Sequence, residues 1–108
     1  MKIFVTGSES FVGRELIAQS LEQGLCVTGV DKMAPADADY EFIRTDIRNP
    51  DIYRLIPHGA DALIHLAALS RDADCRGKAH ECFDVNVMGT INMIRAAQAR
   101  EVKQFIFA

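Results

Sequence analysis

The sequence predicts a doubly wound α/β domain, in which helices cover both faces of a parallel sheet. Short apolar segments alternate with segments of helical spacing along the chain, which is typical of βαβ units with right-handed crossovers. The apolar segments are nearly continuous, as expected for strands that are buried on both faces. The first of them ends in glycine and leads directly into a helix. These observations predict five strands in the order 3-2-1-4-5, with flanking helices.

The first strand and the first helix are predicted from the opening of the chain. Residues 3–7 (IFVTG) form a short apolar strand that ends at Gly7. A helix follows over 11–23, and Gly24 is a natural stop for it. The apolar residues of this helix recur at helical spacing: Phe11, Leu16, Ile17 and Leu21.

Two further strands and a short helix are predicted next. Residues 25–31 (LCVTGVD) read as the second strand, and residues 40–46 (YEFIRTD) as a third, shorter one. The loop between them, 32–39, contains a proline and several small or acidic residues. Pro50 suits the first turn of a short helix over 50–56.

The second half predicts a strand, a loop, a long helix and a last strand. Residues 60–68 (ADALIHLAA) are apolar almost throughout and predict the fourth strand, whereas 69–80 is polar and predicts a loop. A long helix is predicted over 80–100 and the fifth strand over 102–108. Four apolar residues form one stripe of that helix: Phe83, Val87, Ile91 and Ile94.

Composition and charge narrow the class of protein. The 108 residues fit a single domain over 1–108. An apolar fraction of 49% and a charged fraction of 25% are typical of a soluble globular protein. The net charge of −3 argues against nucleic-acid binding, which uses a basic surface. No apolar run approaches the roughly 20 residues that span a bilayer, so no membrane partner is predicted.

The cysteines predict a compartment and bear on metal binding. Cys26, Cys75 and Cys82 are odd in number and irregular in spacing, which predicts free thiols in a reducing, cytoplasmic environment. Cys75, His80 and Cys82 lie close together in sequence, but their spacing matches no common zinc pattern and no fourth ligand is evident. We therefore predict no metal site.

The turn between the first strand and the first helix is the best candidate for a ligand site. Gly7 and Gly13 would permit a tight bend and the close approach of a pyrophosphate to the helix N-terminus. Asp31 ends the second strand 24 positions after Gly7, near the usual offset of about 20 for a carboxylate that binds the adenosine ribose. That carboxylate favours NAD over NADP, and the adjacent Lys32 slightly weakens the preference. The alternatives are an ordinary βα loop and a solvated aspartate.

Six sequence features occur along the chain in the order and at the separations of a known pattern. They are TGSESFVG (6–13), Asp31, TDIR (45–48), LIHLAA (63–68), NVMGT (86–90) and QFIFA (104–108). Together they resemble, over essentially the whole chain, the N-terminal half of extended short-chain dehydrogenases/reductases, the NAD-dependent sugar-nucleotide epimerases and dehydratases. The resemblance implies a Rossmann-type sheet, NAD as cofactor and a nucleotide-linked sugar as substrate of the complete protein. The expected chemistry is removal of a hydride from a sugar carbon and, usually, its return.

The resemblance also implies which residues contact the cofactor. It places the pyrophosphate along the glycine turn, the adenine at the end of the third strand, and the nicotinamide at the end of the fourth. Asp31 would hold the adenosine ribose. Asn86 would reach the cofactor from the long helix, or else bond to a neighbouring loop. Ser10 and Lys32 adjoin these residues and are included among the implied contacts. The other residues implied to contact the cofactor are Gly7, Phe11, Val12, Asp46, Ile47, Leu66, Ala67 and Ala68.

Ser10 departs from the family pattern, which has glycine at this position. Backbone strain at Ser10 would cost about 1–3 kcal/mol and weaken the site. Alternatively, the serine caps the helix and donates a hydrogen bond to an anion. Glu9 adds a negative charge nearby, and we expect its side chain to face solvent. Gly89, from the same comparison, is expected to permit close packing of helix on sheet rather than to touch a ligand.

The family's catalytic residues have no counterpart in this sequence. The only tyrosines are Tyr40 and Tyr53, and the residues four positions later are Arg44 and Pro57 rather than lysine. We therefore expect no catalytic residue in these 108 residues, and no turnover by them alone. The predicted sheet stops inside its fifth strand, which favours the N-terminal part of a longer, truncated protein over a complete five-stranded fold.

Several alternatives remain open at this stage. The chain could be a non-catalytic module that binds and senses NAD, or a structural domain that has lost the ligand. His65, within an apolar strand, is expected to be a satisfied core histidine. The resemblance implies dimerisation through two helices, the one that matches 80–100 and the one that follows the fifth strand. Only the first of these is present, which leaves a homodimer open. Three charged residues of the loop after the fourth strand are either substrate contacts or solvated: Arg71, Asp72 and Arg76.

Overall fold

The computed structural model describes residues 1–69 and 75–108. Its strands are β1 (Lys2–Thr6), β2 (Cys26–Asp31), β3 (Glu41–Arg44), β4 (Ala62–His65) and β5 (Phe105–Phe107). Its α-helices are α1 (Phe11–Glu22), α2 (Ala79–Phe83) and α3 (Gly89–Ala99). A 3-10 turn spans Ile52–Leu55, and a π-helical turn, Asp84–Met88, joins α2 to α3.

The five strands form one parallel sheet in the order β3-β2-β1-β4-β5. Phe4, at the centre of β1, pairs with Thr28 of β2 and with Leu63 of β4. β3 pairs with β2, and β5 pairs with β4, so these two strands are the edges of the described sheet. The predicted doubly wound sheet and its strand order are therefore confirmed.

The two faces of the sheet carry separate apolar cores. Alternation along β1 directs Ile3 and Val5 to one face and Phe4 to the other. The first face packs against α1, chiefly through Ile17. The second face packs against α3 and the 3-10 turn, and its buried residues include Ile52, Leu63, Met93, Ala96 and Ala97. Helices on both faces of a parallel sheet are the arrangement that the continuous apolar strands predicted.

The long second-half helix differs from its prediction in its regularity. It is interrupted by the π-helical turn, rather than regular over 80–100. The apolar stripe that the sequence predicts lies on the exposed side. The residues that face the sheet are mostly smaller, and Gly89, Ala96 and Ala97 let the helix lie close to the strands. The four exposed residues of the stripe are Phe83, Val87, Ile91 and Ile94.

Smaller differences concern the ends of elements. β1 has its predicted length, whereas the other strands are shorter than predicted. At β4 this is because Leu66 and Ala67 leave the ladder and turn across the end of β1. The predicted helix over 50–56 is a single 3-10 turn. Phe11, the first of the apolar residues at helical spacing, is 94% exposed at the N-terminus of α1. Among the described residues, no helix is both long enough and apolar enough to cross a membrane.

Candidate cofactor site at the carboxyl ends of the strands

The turn after β1 needs glycine at Gly7. Its φ is +69°, which L residues with a side chain rarely adopt. A Cβ at Gly7 would also lie 2.8 Å from the backbone nitrogen of Ala67 and 2.9 Å from the carbonyl carbon of Leu66. The turn thus packs directly on the backbone that follows β4. At Gly13, a Cβ would collide with the carbonyl oxygen of Gly7, so α1 starts in contact with the turn.

Ser10 is accommodated as the N-cap of α1, without backbone strain. Its φ of −71° and ψ of 166° are ordinary extended values, so the expected strain energy is absent. The Ser10 hydroxyl donates to the Gly7 carbonyl oxygen at 2.7 Å and accepts from the Gly13 N–H at 3.1 Å. The first two N–H groups of α1, from Phe11 and Val12, have no acceptor within the helix. Both residues are exposed, so an anion can reach this helix end.

Asp31 lies at the carboxyl end of β2, beside the turn. Its Oδ2 accepts from the Glu9 N–H at 3.0 Å, and its Oδ1 accepts from the Met33 N–H at 3.0 Å. These two bonds fix the orientation of the carboxylate. Because each carboxylate oxygen has a second lone pair, Asp31 can still accept bonds from a ligand. The side chain of the adjacent Lys32 lies near Asp46 instead, with its Nζ 3.9 Å from Asp46 Oδ2.

Asp46, after β3, belongs to a charged cluster that the sequence did not predict. Arg48 binds the Asp46 carboxylate through two side-chain contacts, Nη2–Oδ2 at 2.7 Å and Nε–Oδ1 at 3.1 Å. Arg48 Nη1 also donates to Asp84 Oδ2 at 3.0 Å, which joins this segment to the π-helical turn. The hydrogen bonds from Arg48 hold the pKa of Asp46 below its usual range. Any bond from Asp46 to adenine would therefore have to share an oxygen with Arg48.

The side chain of Ile47 is not part of the site. It is buried in the core, and the Cβ that Gly89 lacks would lie 2.7 Å from Ile47 Cδ1. Gly89 therefore permits close packing of α3, as the sequence predicted. Only the backbone of Ile47 is left as a possible ligand contact.

The segment after β4 is held by Thr6, a residue that sequence analysis missed. Thr6 Oγ1 accepts from the N–H groups of Leu66 and Ala67, each at 3.1 Å. With both lone pairs used, its proton is donated to Nδ1 of His65, 2.7 Å away. Ala68 follows as an exposed residue. The only sequence signal for Thr6 was a hydroxyl at the end of an apolar strand.

These bonds assign the tautomer of His65 and extend the chain of bonds to the next helix. Since Nδ1 accepts, Nε2 carries the proton and donates to Thr90 Oγ1 at 2.9 Å. The Thr90 hydroxyl in turn donates to the Asn86 carbonyl oxygen at 2.8 Å. Burial lowers the pKa of His65 to about 4, so the ring is neutral at pH 7. His65 is the satisfied core histidine that the sequence predicted.

Asn86 uses its side chain on the loop after β4. Its Oδ1 accepts from the Leu69 N–H at 2.8 Å, and its Nδ2 donates to the Leu69 carbonyl oxygen at 2.9 Å. This is the alternative interpretation of Asn86, a bond to a neighbouring loop. Asn86 therefore fixes the segment that follows the predicted nicotinamide contacts.

Two expectations about charge and cysteines are wrong. Glu9 does not face solvent: its side chain is 10% exposed and lies between Tyr40 and Arg14. Cys75 and Cys82 form a disulfide rather than free thiols, because α2 brings the second cysteine back beside the first. The disulfide excludes their sulfurs as metal ligands. Only Cys26 remains as a free thiol, so the cysteines no longer indicate a reducing compartment.

The remaining candidates come between β4 and α2 in the sequence. Arg71 and Asp72 fall outside the described residues. Arg76 lies within them and is exposed.

Known proteins of one family are similar to this chain in sequence. Residues 3–108 match the model of the NAD dependent epimerase/dehydratase family. A UDP-glucose 4-epimerase from Klebsiella pneumoniae is 31% identical over 100% of this chain and 88% of that sequence. A dTDP-glucose 4,6-dehydratase from Streptomyces niveus is 32% identical, and a 3 beta-hydroxysteroid dehydrogenase/Delta 5-->4-isomerase from Mycobacterium tuberculosis is 30% identical. This chain spans only 37% and 30% of those two relatives.

Solved structures show the same partial coverage. A UDP-glucose-4-epimerase from Stenotrophomonas maltophila, crystallised with NAD and formylated UDP-arabinopyranose, superposes with a TM-score of 0.88 at 28% identity. A short-chain dehydrogenase/reductase superfamily protein from Agrobacterium tumefaciens, crystallised with NAD, gives 0.85 at 32% identity. Each match covers 99% of this chain but 36% and 32% of the other. With the family model matching nearly every residue, the chain belongs to the NAD-dependent epimerase/dehydratase family.

Proposed function

We propose that this chain is the NAD-binding portion of an NAD-dependent epimerase/dehydratase that acts on nucleotide-linked sugars. The observation that carries the proposal is the turn after β1. Gly7, with φ at +69°, lets the turn pack on the backbone after β4, and α1 begins there with the exposed residues Phe11 and Val12, whose N–H groups have no acceptor within the helix. An oriented carboxylate, Asp31, lies beside the turn. This combination fits a dinucleotide, whose pyrophosphate binds a helix N-terminus and whose ribose binds a carboxylate.

Individual residues would hold different parts of NAD. The N–H groups of Phe11 and Val12 would bind the pyrophosphate, with Ser10 ordering the turn as the helix cap. Asp31 would bind the ribose hydroxyls, and its charge would oppose the extra phosphate of NADP. The segment Leu66–Ala68 would line the nicotinamide end. Asp46 and the Ile47 backbone would flank the adenine, with Lys32 at the edge.

NAD, when bound, supplies a hydride acceptor that can also return the hydride. The residues of this chain bind and orient it; the sequence holds no tyrosine–three residues–lysine pair to transfer protons. We propose that residues 1–108 form one cofactor-binding domain of a longer protein and are inactive alone. The nucleotide sugar is favoured as substrate because UDP- or dTDP-sugar enzymes are prominent among the relatives, although a steroid dehydrogenase also matches.

A homodimer is proposed from the outer face of the long helix. Phe83, Val87, Ile91 and Ile94 form an exposed apolar stripe there. A contiguous apolar face of this kind on a soluble domain usually marks a contact surface.

The test is calorimetric titration of the protein with NAD and with NADP. We expect NAD to bind more tightly, and Asp31→Ala to weaken NAD binding by about 10–100-fold, because bonds to a charged group are lost. The same substitution should reduce the preference over NADP. Asp51→Ala, at an exposed aspartate with no capping bond from its side chain, is the matched control. Unchanged NAD affinity in Asp31→Ala would refute the ribose assignment, and no NAD binding by the unsubstituted protein would refute the proposal.

A further inference from the structure

Glu9 places a carboxylate within the turn that we propose binds the pyrophosphate. A negative charge there would oppose a bound anion and the favourable field of the α1 N-terminus. Its two oxygens are both engaged, however. Arg14 Nε lies 3.4 Å from Oε1, and the Tyr40 hydroxyl donates to Oε2. With only 10% of the Glu9 side chain exposed, the carboxylate is held rather than free to turn.

Tyr40 reaches the turn from the residue before β3, across β2. Its hydroxyl also lies 3.0 Å from Ser8 Oγ, and Ser8 is fully buried under it. Gly29 of β2 makes this crossing possible. A Cβ at Gly29 would lie 2.6 Å from Tyr40 Cε2 and 2.7 Å from Ser8 Cβ. Burial, together with the bond to Glu9, raises the pKa of Tyr40 to about 12, so its hydroxyl remains a donor.

The carboxylate and the backbone of Glu9 have different surroundings. Glu9 lines an open groove of about 410 Å³ between α1 and the segment before β3. The Glu9 N–H donates to Asp31 Oδ2 at 3.0 Å. Gly7, two residues earlier, packs against the backbone after β4 instead. Holding Glu9 on the β3 side therefore separates its charge from the β4 side of the turn and presents its N–H to Asp31.

We propose that Tyr40 is a positioning residue of the cofactor site. By binding the Glu9 carboxylate, it keeps that negative charge away from the pyrophosphate. The inference rests on the proposed NAD site. This turn can contain a glutamate because Tyr40 binds its carboxylate.

The experiment measures NAD affinity in a double-mutant cycle of Tyr40→Phe and Glu9→Gln. Tyr40→Phe removes one oxygen and should weaken NAD binding about 3- to 10-fold, since the charge of Glu9 is released. Glu9→Gln removes that charge and should bind NAD at least as tightly as the unsubstituted protein. In the double variant, Glu9→Gln should restore the affinity to within about twofold. Tyr53→Phe is the matched control, because Tyr53 is the other tyrosine and contacts Arg54 on the surface.

Adenosine, which lacks phosphate, separates this charge effect from general loosening. Its affinity should change much less than that of NAD in Tyr40→Phe, with the fold checked by circular dichroism. Equal losses for both ligands without rescue by Glu9→Gln would overturn the inference, as would NAD binding that Tyr40→Phe leaves unchanged. If the unsubstituted protein does not bind NAD, the proposed function fails and this inference fails with it.

Discussion

Single residues decide how the departures from the family pattern are accommodated. Ser10 replaces a glycine that the family uses beside the pyrophosphate, and from sequence alone strain and helix capping were equally good accounts. The structure distinguishes them through φ, since a value of −71° needs no glycine. Gly7, with φ at +69°, does need one. Sequence could identify both positions, but not which of them has the left-handed backbone.

Residues whose role depends on distant partners could not be predicted. Thr6 and His65 are separated by 59 positions, and Tyr40 and Glu9 by 31. No spacing rule links them, because the contact exists only after the strands pair. Asp31 was predictable because its position relative to Gly7 follows from the βαβ unit itself.

His65 makes stability depend on pH. Burial lowers its pKa to about 4 in the folded state, against about 6.5 in an unfolded chain. As the pH falls from 6.5, the unfolded state takes up this proton first, so the free energy of unfolding decreases until about pH 4 and then levels off. The contribution of this group is on the order of 3 kcal/mol.

Urea unfolding at several pH values checks this dependence. His65→Gln replaces the ring with a side chain that does not titrate, so the decrease between pH 6.5 and 4 should become shallower. His80→Gln removes an exposed histidine and is the control. An equally steep decrease in His65→Gln would show that other groups cause it.

At the scale of elements, strand identity and order followed from the sequence, whereas helix orientation did not. The apolar runs were long enough to predict five strands, and the doubly wound pattern then predicted their order. The long helix has two apolar stripes, and period alone cannot say which faces the sheet. The stripe with smaller residues does, because Gly89 lets the helix approach Ile47 closely. Larger residues on the other stripe, such as Ile91, are left exposed.

The disulfide between Cys75 and Cys82 joins α2 to the segment before it. The two cysteines are seven positions apart, so the closed loop is short and its contribution to stability is about 2 kcal/mol. Cys75→Ser should lower the free energy of unfolding by that amount under oxidising conditions. Adding dithiothreitol should lower it in the unsubstituted protein but not in the variant.

Cys26→Ser is the matched control, because Cys26 is a free, exposed cysteine. Its unfolding free energy and its response to dithiothreitol should match those of the unsubstituted protein. Thiol counting under denaturing conditions gives an independent check: one free thiol is expected before reduction and three afterwards. Three free thiols in freshly purified protein would contradict the disulfide.

For the whole molecule, the strand order brings the candidate site residues together. β1 lies between β2 and β4, so the turn after β1 meets Asp31 on one side and Ala67 on the other. A ligand can therefore lie across the carboxyl ends of the strands, at the point where the strand order reverses, as in other doubly wound sheets. The apolar stripe of the long helix lies on its solvent side, away from the second core. Cofactor binding and self-association can thus use separate surfaces.

That separation predicts that association can be removed without loss of the fold or of NAD binding. In sedimentation experiments we expect the unsubstituted chain to have about twice the 12.0 kDa mass of one copy. Ile91→Glu places a charge on the apolar stripe and should give the monomer mass, because burying an unpaired carboxylate in an interface is costly. Ala99→Glu adds the same charge at an exposed position of α3 that does not lie on the stripe, and it should leave the dimer intact. A dimer that persists in Ile91→Glu would place the contact elsewhere, and a monomeric unsubstituted chain would refute the homodimer.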